Sequence, residues 1–234
     1  MIMWLSILIV SVYFIIGGAA TVIINKKKPV EARQRWTKYL VYFFIVVTIL
    51  GCIRAGVFNF AAIVIVVFGL FEIVRIGRGK NTIMIVALLL YSAIAYGFVF
   101  FSYWATEVDQ MSLYVIVLSF DGFSQISGQL FGKTKLAPSI SPGKTIEGLT
   151  GGALIAIATS TLLWYNEPLQ NRIPFGFFVC VMALAGDLLA SYYKRKCGVK
   201  DYSSLIPGHG GFLDRFDSLI FAGAGWSVLK ILFP

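Results

Sequence analysis

The stretch GDLLASYYKRKCGVKDYSSLIPGHGGFLDRFDSL, residues 186–219, decides how the rest of the chain is read. It holds four aspartates (Asp187, Asp201, Asp214, Asp217), five cationic side chains (Lys194, Arg195, Lys196, Lys200, Arg215) and the chain's single histidine, His209. Asp187 lies at the end of an apolar run, residues 179–189. A carboxylate there is costly unless it is paired, hydrated or bound to a cation. Acids and bases interleaved with glycines suit a divalent metal and a polyphosphate. Carboxylates hold the cation, Lys and Arg hold phosphate oxygens, and glycine lets backbone come close. The competing reading is a solvated loop between two membrane helices, its cations placed by the preference of cytoplasmic loops for positive charge.

Outward from this stretch the chain is apolar. Of its 234 residues 58% are hydrophobic and 13% charged, with a mean hydropathy of +0.83. Soluble domains run at about 45–50% apolar and about 25% charged, so the composition is that of an integral membrane protein. The net charge of +9 does not point to nucleic acid, because the basic residues fall between apolar runs rather than along one soluble face. Cys52, Cys180 and Cys197 have no paired spacing and no histidine cluster, which argues against a disulfide framework or a zinc site. The apolar N-terminus lacks a basic leader and a small-residue cleavage site, and reads as a retained first span.

At about 20 apolar residues per crossing, spans are expected over 1–24, 39–53, 56–74, 83–104, 113–131, 145–164, 173–193 and 216–233. The expected fold is an all-α polytopic bundle of about eight transmembrane helices, one integral membrane domain over 1–234. Its N-terminal helices occupy 1–110, and the polar motifs fall in 111–234. Alternate loops carry every Lys and Arg except Arg54, Arg172 and Lys230, which assigns those loops, and the polar site, to the cytoplasmic face. Gly128, Gly132, Gly148, Gly151, Gly152 and Ala153 let helix backbones approach closely. Packing inside the bundle is favoured for them, with a homodimer contact as the alternative. Phe43, Phe44, Phe98, Phe100 and Phe101 read as lipid-facing or core-filling. Glu72 reads as an ordinary i,i+3 partner of Arg75.

Three acids lie within spans besides the long loop 194–214: Asp121 near mid-membrane, and Glu147 and Asp187 near the cytoplasmic boundary. Such residues tend to face a wet cavity or a partner, and a purely structural pairing of Asp121 is the alternative. Residues 136–148 read LAPSISPGKTIEG. Gly143-Lys144-Thr145 invites comparison with a phosphate-binding loop. That motif needs a glycine where this chain has Pro138, and no strand is expected before it, so the comparison fails. What remains is a proline-stiffened loop with Lys144 and Thr145 at a helix start, where backbone N–H groups favour anions.

Together the two polar segments resemble the phosphatidate cytidylyltransferases (CDP-diacylglycerol synthases). The pattern S-x-x-K-R-x4-K-D followed by G-H-G-G-x-x-D-R-x-D is met by Ser191, Lys194, Arg195, Lys200 and Asp201, then Gly208, His209, Gly210, Gly211, Asp214, Arg215 and Asp217. The segment G-K-x-K-L-A-P-x-I-S-P-x-K-T-x-E-G is met at residues 132–148. The likeness is strong from about Asp121 to Asp217. Departures at Gln129, Gly143, Tyr193 and the run Gly122-Phe123-Ser124-Gln125 spare the acidic and cationic core. The resemblance implies a membrane nucleotidyltransferase that joins CTP to phosphatidic acid, with Asp187, Lys194, Asp214 and Asp217 catalytic. Asp187, Asp214, Asp217 and Asp121 would hold Mg2+, with a second cation such as K+ as an open alternative. Ser141, Lys144, Thr145, Glu147, Ser191, Arg195, Lys200, Asp201, His209, Gly210, Gly211 and Arg215 would bind substrate. Rival readings are a CTP-dependent enzyme of another lipid phosphate, a CTP-dependent lipid kinase and an ion-coupled transporter.

Overall fold

A computed structural model of the chain describes residues 2–27, 29–164, 167–206 and 210–232. Eight helices follow one another: α1 Ile2–Lys27, α2 Ala32–Arg54, α3 Phe58–Gly77, α4 Asn81–Trp104, α5 Glu107–Phe131, α6 Ile146–Leu163, α7 Leu169–Cys197 and α8 Leu213–Leu232. Between α5 and α6 lies a hairpin of β1 Lys135–Ala137 and β2 Ser141–Thr145. Six of the helices, all but α5 and α8, are long and apolar enough to cross a bilayer, and the chain is a multi-pass, all-α membrane protein.

The helices outrun the apolar stretches that announce them. α2 begins at Ala32 rather than near Tyr39, and α7 runs to Cys197 rather than to Tyr193. Hydropathy marks where lipid touches the chain, whereas the backbone ladder continues into the interface, where long Lys and Arg side chains keep their charged ends in water. Lys194, Arg195 and Lys196 thus sit in the last turn of α7, beside the negative end of its dipole. Gly198, at φ +80°, ends that helix, with its own N–H on Arg195 O and that of Val199 on Lys194 O. Asp187 stands ten residues inside the end of α7, as Asp121 does in α5, about 15 Å in each case.

α5 and α8 form the interior. Every residue from Gln110 to Phe120 is buried, so α5 touches protein rather than lipid on all sides over that length. Enclosure explains how these two helices keep polar side chains that a lipid-facing surface would not. α6 lies against α5 through glycines: a Cβ at Gly152 would stand 2.6 Å from Phe120 O, and one at Gly148 2.7 Å from Ser124 O. The expected role of these glycines inside the bundle is met. α8 packs on α4, where a Cβ at Gly223 would meet Phe98 at 2.7 Å, and on α7, where one at Gly186 would meet Asp217 O at 2.7 Å. Outward faces carry Trp4, Phe44, Leu89 and Leu154, all exposed, whereas Phe98 and Phe101 fill the core.

The hairpin was not expected. Lys135 lies opposite Thr145 and Ala137 opposite Ser141, antiparallel. A short strand therefore does precede Pro138, but it is the partner of β2 rather than the parallel strand of a phosphate-binding loop. Pro138 alone now excludes that motif.

Candidate active site

Alternation of helix direction brings the ends of α1, α3, α5 and α7 to one end of the bundle, with the starts of α2, α4, α6 and α8. The two polar segments meet there. β2 leads directly into α6, whose cap is Thr145: its hydroxyl accepts the N–H of Gly148 at 3.1 Å. Glu147 turns back and accepts the backbone N–H groups of Lys133 (3.0 Å) and Thr134 (3.1 Å), closing the base of the hairpin. Thr145 and Glu147 thereby fix the loop, and Ser141 lies in its second strand.

Lys144 projects from β2 onto Asp187, pairing with Oδ2. Ser191, one turn further along α7, donates to Asp187 Oδ1 at 3.2 Å. Asp121 accepts from Ser218 Oγ at 3.3 Å, and Asp217 Oδ1 from the Ser218 N–H at 2.8 Å. Burial works against charge on Lys144, but Asp187, then Asp121 and Asp217, outweigh it and hold its pKa above the ordinary lysine value. A raised lysine pKa keeps the ammonium, and the stability it contributes, intact up to the ordinary value, with loss only in strongly alkaline solution. Gly186 makes the juxtaposition possible, since its missing Cβ lets α8 come in beside Asp187.

A second pair lies beside the first. Lys194 Nζ is 2.5 Å from Asp214 Oδ1, with side chains 9% and 2% exposed. Asp214 Oδ2 also accepts the N–H groups of Tyr202 and Gly211, both at 2.8 Å, and the ammonium lies 5.3 Å from the centre of the Tyr202 ring. With three donors, Asp214 is an anchor of the loop. Arg195 ties the end of α7 to the hairpin, giving Nε to Ile140 O at 3.1 Å. Lys200 and Asp201 are exposed on the loop, and Gly210 takes φ +81° beside Asp201. Arg215 acts on Asp121, and its buried Nε has no hydrogen-bond partner. His209 lies outside the described residues.

One residue was misjudged from sequence. Glu72 is wholly buried and bonds away from its own helix: it accepts from Ser203 Oγ (2.6 Å), Phe212 N (3.0 Å) and Leu213 N (2.8 Å). An acid inside an apolar span was the available signal, the same one that drew notice to Asp121.

Among the described residues no group of three or more acid, histidine or cysteine side chains closes around one point. Magnesium does not need one, because it keeps several waters and takes only one or two carboxylates plus substrate phosphate. Asp187, with Asp121 and Asp217 acting on the same ammonium, forms a seat that already holds a positive charge. The donor set fits a hard divalent cation.

The family model described as Cytidylyltransferase family matches residues 1–233. A Rickettsia typhi protein named phosphatidate cytidylyltransferase is 45% identical over 120 residues, 47% of this chain and 53% of that protein. Proteins of the same name from Haemophilus influenzae and Bacillus subtilis are both 42% identical, over 118 and 113 residues, or 47% and 46% of this chain and 41% of each relative. The matched stretches thus span about half or less of those relatives.

Proposed function

The chain belongs to the cytidylyltransferase family, and on that footing we propose that it condenses CTP with phosphatidic acid, giving CDP-diacylglycerol and pyrophosphate. The observation that carries this reading is the ion pair of Lys144 from the hairpin with Asp187 from α7, with Asp121 of α5 and Asp217 of α8 near enough to act on the same ammonium. Two segments that are distant in sequence and alike in chemistry are joined there. The names of the matched relatives support the choice of reaction.

An oxygen of the lipid phosphate attacks the α-phosphorus of CTP. A new P–O–P linkage forms, the α–β bridge breaks, and pyrophosphate leaves with the electron pair. The nucleophile is already an anion, so no strong base is required. The barrier is repulsion between two anions, and what helps is positive charge held in place along the line of attack. Magnesium held by Asp187, with Asp217 or Asp121 as a second carboxylate, would supply charge neutralisation and phosphate alignment. Lys144 is released from Asp187 to a phosphate oxygen as the nucleotide enters. Arg215, with an unused Nε, and the exposed Arg195 and Lys200 offer donors to the lipid phosphate and to pyrophosphate. Lys194 and Asp214 hold the loop that carries Lys200 and joins the helices carrying Arg195 and Arg215. The charge distribution supports placing this end in the cytoplasm, where CTP meets the inner leaflet.

The test is purified protein in detergent with labelled CTP, Mg2+ and phosphatidate. Labelled CDP-lipid and pyrophosphate are expected, and chelation of the metal is expected to stop the reaction. Asp187→Asn is expected to lose about 10²-fold or more of turnover, the scale for removing a charge-stabilising group. Release of CDP in place of pyrophosphate would identify a lipid kinase and overturn the proposal.

A further inference from the structure

Glu72 is an acid from the middle of the lipid-facing half of the sequence, yet it is 0% exposed and sits against the loop that the proposed reaction uses. Two carboxylates grip that loop at neighbouring residues. Asp214 takes the N–H groups of Tyr202 and Gly211. Glu72 takes the hydroxyl of Ser203 and the N–H of Phe212, the next residue in each case. Glu72 Oε2 also receives the N–H of Leu213, the first residue of α8. The first N–H groups of a helix have no partners within it, and a carboxylate there is favoured by the dipole. Phe212 precedes α8 and has no side-chain oxygen to serve as a cap, so the cap arrives from α3.

Local architecture holds Glu72 to this task. Tyr193 Oη donates to Ile73 O at 2.9 Å, joining α7 to α3 at the next residue. Gly211 lies so close that a Cβ there would stand 2.7 Å from Glu72 Oε2. A buried carboxylate is tolerated only when donors converge on it, and here the donors belong to the loop carrying Lys200 and Asp201 and to its junction with α8, just before Asp214.

We propose that Glu72 is a positioning residue for the reaction: by clamping residues 203 and 212–213 next to the residues held by Asp214, it sets the loop in its working geometry. This rests on the function proposed above. It also draws an N-terminal helix into the chemistry, although the motif residues all lie beyond residue 110.

The experiment compares wild type with Glu72→Gln, Gly211→Ala and Ser203→Ala in detergent. It reads kcat and KM for CTP, the melting temperature, and amide exchange in peptides covering 201–206 and 210–216. A glutamine keeps the shape, but one of its two terminal atoms donates and so faces a backbone N–H with the wrong polarity. Glu72→Gln is expected to lower kcat about 10- to 100-fold, the scale of a small misplacement of catalytic groups. KM for CTP should shift far less, and exchange should quicken in the loop while α1 and α6 keep their protection. Gly211→Ala, which displaces the carboxylate sterically, should give the same pattern, and Ser203→Ala a weaker one. If the glutamine variant does not fold, Gly211→Ala and Ser203→Ala carry the test. Unchanged kcat per folded molecule, or exchange that rises evenly through the bundle, overturns the proposal. A wild type that makes no CDP-lipid overturns the proposed function instead; loop exchange, read without substrate, then still decides whether Glu72 holds the loop.

Discussion

At the end of the bundle away from the candidate site, Arg54 Nη1 faces Glu107 Oε1 across 3.7 Å, with 61% and 48% of the two side chains exposed. At the site end, Lys194 and Asp214 meet at 2.5 Å with 9% and 2% exposed. The chemistry of the two pairs is alike and their physics is not. An exposed pair gains little over its hydrated ions, about 0–1 kcal/mol. A buried pair has lost that hydration, and removing one partner strands the other at roughly 3–5 kcal/mol. The same contrast holds face by face along the helices: Glu72 on α3 and Lys194 on α7 are buried charges on helices whose outer faces are apolar and exposed. In this chain a functional site is marked less by the number of charges than by how far they are withdrawn from water.

The largest effect should come from breaking the withdrawn pair. Lys194→Met leaves Asp214 with its two backbone donors and no cation, and is expected to cost roughly 3–5 kcal/mol, read as a lowered melting temperature in detergent. Adding Asp214→Leu should recover part of that stability without activity, because matched apolar residues remove the stranded charge but leave Tyr202 and Gly211 without their acceptor. A Lys194→Met protein as stable as wild type would erase the distinction between the two ends. A smaller loss is expected from Gly152→Val. The side chain would enter the space held by Phe120 O and the Ser124 N–H, and overpacking of this kind costs about 1–3 kcal/mol. Melting at the wild-type temperature would show that α5 and α6 can separate without penalty.

How much of this was legible beforehand depended on whether the cause was local. Eight helices in the right order follow from runs of apolar residues, because lipid contact is written into composition residue by residue. The meeting of the two polar segments was expected from the loops that gather the basic residues on one face and from the family resemblance, with Asp187 marked out by the apolar run around it. Glu72 was not, because Arg75 offered a neighbour at i+3 while its actual partners lie 131 to 141 positions away. Hydropathy also ended α7 too early: it reports where apolar residues stop, and the helix continues past that point to Cys197. The hairpin escaped for a similar reason. β1 has three residues and β2 contains Pro142 and Gly143, too short and too irregular for alternation to show, and Glu147 closes it from outside the strands.

The smallest effect belongs to the exposed pair, and it bears hardest on the comparison. Arg54→Ala removes a guanidinium at the last turn of α2, where it faces the helix dipole favourably and Glu107 at long range. Both contributions are screened by water and salt, so their sum should stay within about 1 kcal/mol and shrink further as ionic strength rises. CDP-lipid synthesis should be unaffected, since among the described residues nothing joins Arg54 to Lys144, Asp187 or the loop residues 198–206 and 210–212. The measurement is a pair of melting curves at low and high salt, beside an activity assay. A loss as large as that of Lys194→Met, insensitive to salt, would mean that the Arg54–Glu107 pair is withdrawn from water after all, and exposure would no longer separate one end of the bundle from the other.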